Sequence, residues 1–217
     1  MQQPLKLSAA RRQVTFAFGG VERRTMTTTV VAAYVLLGGF LILQRVMRRG
    51  EEARSLRPSP ADRGSTKLLG GAFGLCLLAL VAAPGLNALG LGEAGHARVV
   101  GGIGIAVMIG GLALRLWSQA VLGRYYTSTL RHAEGQPILA SGPYRLLRHP
   151  GYAGMLLAWA GAGLATANWA AALAVTLVMS VAYRYRIAAE EAMLLDTFGG
   201  RYKEYMARTW RLMPYVY

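Results

Sequence analysis

Two short stretches of this chain carry side chains able to do chemistry. The first, SGPYRLLRHPGYAG (residues 141–154), gathers Arg145, Arg148, His149, Tyr144, Tyr152 and two prolines. Pro150 suits the first turn of a helix, where its missing N–H costs nothing. His149 then falls at the N-cap, and the free N–H groups of that first turn point into the preceding loop. Such an end attracts anions, and Arg145 and Arg148 add positive charge beside it. Gly142-Pro143 breaks the chain just before, while Gly151 and Gly154 let other backbone or a ligand approach closely. In the second stretch Glu190 and Glu191 are adjacent, with Arg186 one helical turn ahead of Glu190 and able to pair with it. Acidic groups at an anionic membrane surface are disfavoured. Two together call for a partner, either Arg145 or Arg148, or a cationic ligand. Both charge signs in one polar pocket would suit a zwitterion.

The elements that must position these groups are apolar. Of the 217 residues 54% are hydrophobic and 16% charged. Residues 27–44, 68–92 and 150–183 carry no charge, and 99–122 carries only Arg115. A helix needs about 20 residues to cross the hydrocarbon core. The run 150–183 is long enough for two short spans, turning at Thr166-Ala167-Asn168. The expected fold is therefore all-α and polytopic, with about five transmembrane helices. Residues 26–119 would hold the first three, and 120–217 would hold helices 4 and 5 with an amphipathic segment over 187–198, a stop at Gly199-Gly200 and an aromatic, basic tail.

Charge sets the expected orientation. Residues 45–67 carry seven basic and three acidic side chains, residues 120–149 four and one, and the tail from Arg184 onward six and four. The positive-inside rule places these segments in the cytoplasm. The net charge of +14 then reads as topology and attraction to anionic membrane lipids, not as a nucleic-acid surface, since the basic residues border the spans. Residues 1–25, with five basic groups and one acidic, conflict with that topology and read as a non-native or disordered extension ahead of Met26. The single Cys76, mid-helix, reads as a small buried side chain. Gly70-x-x-x-Gly74 and Ala158-x-x-x-Ala162 read as close helix packing.

The two polar stretches together resemble the isoprenylcysteine carboxyl methyltransferase family of integral-membrane enzymes, which is related to the phospholipid methyltransferases. The pattern G-x-Y-x-x-x-R-H-P-x-Y-x-G is carried by Gly142, Tyr144, Arg148, His149, Pro150, Tyr152 and Gly154. The pattern E-E-x-x-L-x-x-x-F-G-x-x-Y-x-x-Y follows on Glu190, Glu191, Leu194, Phe198, Gly199, Tyr202 and Tyr205, then Arg211 and Pro214. The resemblance covers about residues 120–217. It implies S-adenosylmethionine bound at the cytoplasmic side of the membrane. Its pocket would be made by Gly142, Tyr144, Arg148, His149, Pro150, Tyr152, Glu190 and Glu191, without a metal. It also implies methyl transfer to a lipophilic or lipid-modified acceptor. Separately, the high Ala, Gly, Leu and Arg content suggests a GC-rich bacterial genome and hence a bacterial inner membrane. If the acceptor is a carboxylate, Arg186, Arg208 and Arg211 are candidates to hold it. If it is a thiol or amine, His149, Tyr205 or a glutamate would take the proton. Phosphatidylethanolamine N-methylation and a non-catalytic membrane protein are the competing readings.

Overall fold

The computed structural model describes residues 28–46, 62–125 and 137–214. The expected 1–25 extension, Arg131, Tyr215 and Tyr217 lie outside them. The described residues form six helices: α1 (Thr28–Val46), α2 (Ser65–Ala88), α3 (Ala97–Leu122), α4 (Pro150–Ala165), α5 (Trp169–Phe198) and α6 (Gly200–Ala207). Among them there is no strand, only the isolated bridges Glu93–Asn168 and Leu147–Trp210. Helices α1, α2, α3 and α5 are long and apolar enough to cross a membrane. The fifth apolar helix, α4, has 16 residues, about 24 Å at the helical rise. It lies within the bundle rather than at its surface, with Ala158, Trp159, Ala162 and Ala165 each at most 1% exposed.

The α4–α5 hairpin turns where the sequence placed it. Asn168 caps α5 by accepting the Ala171 N–H at 2.9 Å, and its amide donates to Asn87 Oδ1 at 2.7 Å and the Leu91 carbonyl at 2.8 Å. That buried cluster ties the α2–α3 connection to the hairpin. Beyond it, α5 runs unbroken for 30 residues to Phe198, where Gly199 adopts φ 55 and closes it. The charged residues from Arg184 do not interrupt the helix, because no Gly or Pro lies between Trp169 and Phe198. The anticipated amphipathic segment is thus the final stretch of α5 itself.

Helices α3 and α4 pack closest. A Cβ built on Gly111 would lie 2.5 Å from the Gly154 carbonyl oxygen, and one on Gly161 would lie 2.6 Å from the Gly104 carbonyl oxygen. Small residues at such a seam let backbones approach and gain dispersion contacts, which drive helix association in lipid. Gly70 and Gly74, expected to do this, face away from the rest of the described chain. Phe73 meets Trp159 edge-on at 5.1 Å between ring centroids, joining α2 to α4. Helix α1 closes the bundle through the reciprocal Gln44–Gln119 amide pair at 2.5 and 2.6 Å. Large apolar side chains such as Ile42, Leu78, Val81 and Val181 point outward, as a lipid-facing surface requires.

Candidate active site

The two sequence motifs meet at one end of the bundle. Helix α4 begins at Pro150 with His149 as its N-cap, and the preceding Gly142–Arg145 turn leads the chain into it. The segment after α6 returns to lie beside this start. Arg148 N–H donates to the Trp210 carbonyl at 2.7 Å, Trp210 N–H to the Leu146 carbonyl at 2.8 Å, and His149 N–H to the Arg211 carbonyl at 3.2 Å. Glu191 sits at the centre of this junction. Its Oε1 accepts from Arg148 Nε at 3.0 Å and from Arg211 Nε at 3.2 Å, and its Oε2 accepts from Arg211 Nη2 at 2.6 Å. His149 Nε2 lies 3.2 Å from Oε1. Arg148 also donates to the carbonyls of Met206, at 2.9 Å, and Thr209. Glu191 therefore works as a buried anchor that holds the C-terminal segment against the α4 start.

Glu190 is placed differently. It lines a cavity of about 340 Å³ bounded by α1, α2, α3, α4 and α5 and by Tyr202 and Tyr205 of α6. Its Oε2 accepts the Tyr152 hydroxyl at 2.6 Å. Arg186 Nε in turn donates to the Tyr152 oxygen at 3.3 Å. The one-turn pair expected between Arg186 and Glu190 is thus joined through a tyrosine. The Nη1 of Arg186 donates to Asp62 Oδ1 at 2.6 Å, Ser65 Oγ at 2.8 Å and Thr66 Oγ1 at 2.9 Å. Asp62 precedes the α2 span and is fully buried. Burial pushes its carboxyl up, but hydrogen bonds from Thr66 and Ser65 and the charge of Arg186 outweigh that and hold it below the usual carboxylate range.

Aromatic faces complete the cavity. His149, Tyr152 and Tyr183 form a stack with centroid separations of 5.7 and 5.3 Å, and Met193, Leu194 and Phe198 add an apolar wall. Tyr144 and Arg148 also line it. Gly142, at φ 54, packs under Trp117 and Val121 and shapes the approach to α4; Pro150 is buried at the helix start. Arg211 is occupied by Glu191, and Arg186 faces the cavity from its anchor on Asp62. Tyr205 lines the cavity with its hydroxyl donating to the Tyr144 carbonyl at 2.8 Å. Burial raises that hydroxyl to about 12, against a smaller opposing effect of Arg148. It therefore keeps its proton at neutral pH and serves as a strut. We expect Tyr205→Phe to reduce turnover by less than about 10-fold, the worth of one neutral hydrogen bond, with an unchanged pH–rate profile.

Two cavity residues escaped sequence reasoning as site candidates. Arg115 is the lone cation in an otherwise uncharged run, and such residues mark function by default. Its guanidinium lies over Gly151, where a Cβ would meet Nη1 at 2.6 Å, so the glycine gives it room to reach the cavity. Arg45, at the end of α1, lines the same side.

Comparisons with known proteins agree with the motifs. Residues 103–196 match the profile of the isoprenylcysteine carboxyl methyltransferase (ICMT) family. Over 116 residues the chain is 34% identical to the "Probable protein-S-isoprenylcysteine O-methyltransferase" of Oryza sativa subsp. indica, covering 52% of this chain and 61% of that protein. It is 30% identical over 119 residues to "Protein-S-isoprenylcysteine O-methyltransferase B" of Arabidopsis thaliana, covering 54% of this chain and 60% of that one. The chain thus spans less than two thirds of the length of these curated relatives. A solved structure of the eukaryotic intramembrane Ras methyltransferase ICMT superposes with a TM-score of 0.55 at 20% identity, covering 92% of this chain and 66% of that one. Similarity of fold therefore extends well beyond the residues that the family profile matches. Residues 103–196 are thus similar to the isoprenylcysteine carboxyl methyltransferase family, and the described residues form an all-α integral-membrane fold.

Proposed function

We propose that this protein is a membrane methyltransferase that transfers the methyl group of S-adenosylmethionine to the carboxylate of a lipophilic acceptor of the isoprenylcysteine type. The observation that carries the reading is the single carboxylate of Glu190, presented to a cavity walled by aromatic faces and apolar side chains. That donor set fits the cofactor. Glu190 has the sign to take its ammonium, and the His149–Tyr152–Tyr183 stack offers faces that attract a sulfonium. Arg148 and the start of α4 have the sign for its carboxylate, and Met193, Leu194 and Phe198 suit a purine.

When bound, the cofactor supplies an electrophilic methyl group, which a carboxylate oxygen displaces in line from sulfur so that a methyl ester and a neutral thioether result. The acceptor carboxylate is already ionised at neutral pH, so the residues need only desolvate and orient it. Arg115 and Arg45 are the cations on the side of the cavity bounded by α1 and α3, and we assign them to that task. A thiol or amine acceptor would need a base, yet Tyr205 keeps its proton and His149 is held on Glu191. The basic residues that border the spans support a cytoplasmic position for this end of the bundle, and the Ala-, Gly-, Leu- and Arg-rich composition supports the inner membrane of a bacterium.

Two measurements test the proposal. Detergent-purified protein should bind S-adenosylmethionine saturably in calorimetry; absence of binding in folded protein would overturn the reading. Labelled methyl should then pass to an N-acetylated S-prenyl cysteine and be released as methanol by alkali, as an ester requires. A label stable to alkali on added phosphatidylethanolamine would point to N-methylation instead. Arg115→Gln should raise the acceptor KM about 10-fold or more, the worth of one charged hydrogen bond, and leave cofactor affinity unchanged.

A further inference from the structure

Arg186 and Glu190 are one turn apart on α5, the spacing at which opposite charges pair directly. They are instead separated by the Tyr152 hydroxyl, and the arginine is drawn off by Asp62, 124 residues earlier in the chain. The holding group is built with care. Asp62 Oδ1 accepts from Ser65 Oγ at 2.9 Å and Thr66 Oγ1 at 2.7 Å, and Oδ2 accepts from Thr66 N–H at 3.0 Å. The same two hydroxyls accept from Arg186. A second bond, from the Tyr185 hydroxyl to the Arg63 carbonyl at 2.8 Å, pins this turn to α5. Asp62 and Arg186 are 0% and 3% exposed, so their attraction is weakly screened.

We propose that Asp62 is a positioning residue: by holding Arg186 on the far side of Tyr152, it keeps the Glu190 carboxylate uncovered for the ammonium of the cofactor. Without the Asp62 charge, Arg186 has Glu190 as its nearest carboxylate on the same helix face. Pairing there would neutralise the group the ammonium needs. Asp62, outside the region matched by the family profile, thereby governs cofactor affinity. This inference rests on the cofactor reading of the cavity.

The test is calorimetric S-adenosylmethionine binding to wild type, Asp62→Asn and the double variant Asp62→Asn/Arg186→Gln, each with its thermal unfolding curve in detergent. Asp62→Asn should weaken binding about 10- to 100-fold, the worth of one hydrogen bond to a charged group. The double variant, lacking the cation that would cover Glu190, should recover most of that loss. A merely structural staple predicts a lowered Tm in both variants and no recovery. Wild-type protein that binds while Asp62→Asn binds equally well, or a double variant no better than the single, would overturn the positioning role. Wild-type protein that fails to bind would overturn the cofactor reading instead. Should Asp62→Asn not fold, Ser65→Ala with Thr66→Val loosens the same arginine and keeps the carboxylate. A several-fold loss of affinity reversed by Arg186→Gln is then the required result, and its absence overturns the proposal.

Discussion

Glu190→Gln should weaken cofactor binding by about 100-fold and leave the fold intact, whereas Glu191→Gln should unfold the C-terminal segment. The residues are neighbours and the substitutions identical, so the contrast isolates position. Glu190 is partly exposed in the cavity, with its side chain 26% accessible, and a glutamine oxygen there can still accept the Tyr152 hydroxyl. What disappears is the negative charge. Losing an ion pair with the ammonium should lower affinity by about 100-fold, with an unchanged Tm. Glu191 is 6% accessible and receives Arg148, Arg211 and His149. A glutamine amide would present N–H groups to those donors and leave two guanidinium groups uncompensated. Removing one partner of a buried pair costs about 3–5 kcal/mol. For a chain of this size, that lowers the apparent Tm by about 10 °C. Limited proteolysis should cut Glu191→Gln between residues 199 and 214 first, since that segment loses its dock on the start of α4. Equal effects of the two substitutions on cofactor binding and on Tm would refute the division of labour.

That division could not be read from the sequence. Successive residues on a helix are turned about 100° from one another, so Glu190 faces the cavity beside Tyr152 while Glu191 joins the α4 start to the returning tail; the tail's path is a tertiary fact. Local signals did better. Pro150 at the first turn, His149 at the cap, the 166–168 turn and the glycine stop at Gly199 follow from backbone chemistry within a few residues. Asp62 was hidden because one of three acids in a segment with seven basic side chains looks solvated, and its partner lies more than half the chain away. The 30-residue α5 was underestimated for the opposite reason. Charges from Arg184 onward mark the edge of the hydrocarbon, and that edge is not a helix boundary.

The helix seam shows the same limit, and it carries the second large effect. Four-residue glycine spacing in α2 drew attention, yet Gly70 and Gly74 face outward. The glycines that meet are seven apart on each helix, Gly104 and Gly111 on α3 against Gly154 and Gly161 on α4, a repeat that returns to one face after two turns. At Gly161 an added methyl would lie 2.6 Å from the Gly104 carbonyl oxygen, and backbone cannot rotate aside as a side chain can. Gly161→Ala should therefore push α3 and α4 apart at a cost of about 1–3 kcal/mol. The same helices carry Arg115 and the start at Pro150, so the displacement reaches the cavity. We expect Gly161→Ala to lower Tm and to reduce kcat/KM for the acceptor, with no residue of the cavity altered. Gly151→Ala is the control: its methyl meets only the far end of the Arg115 side chain, which can move, so Tm should hold while the acceptor KM rises. An unchanged Tm in Gly161→Ala would mean that the seam tolerates a methyl and that glycine serves another purpose there.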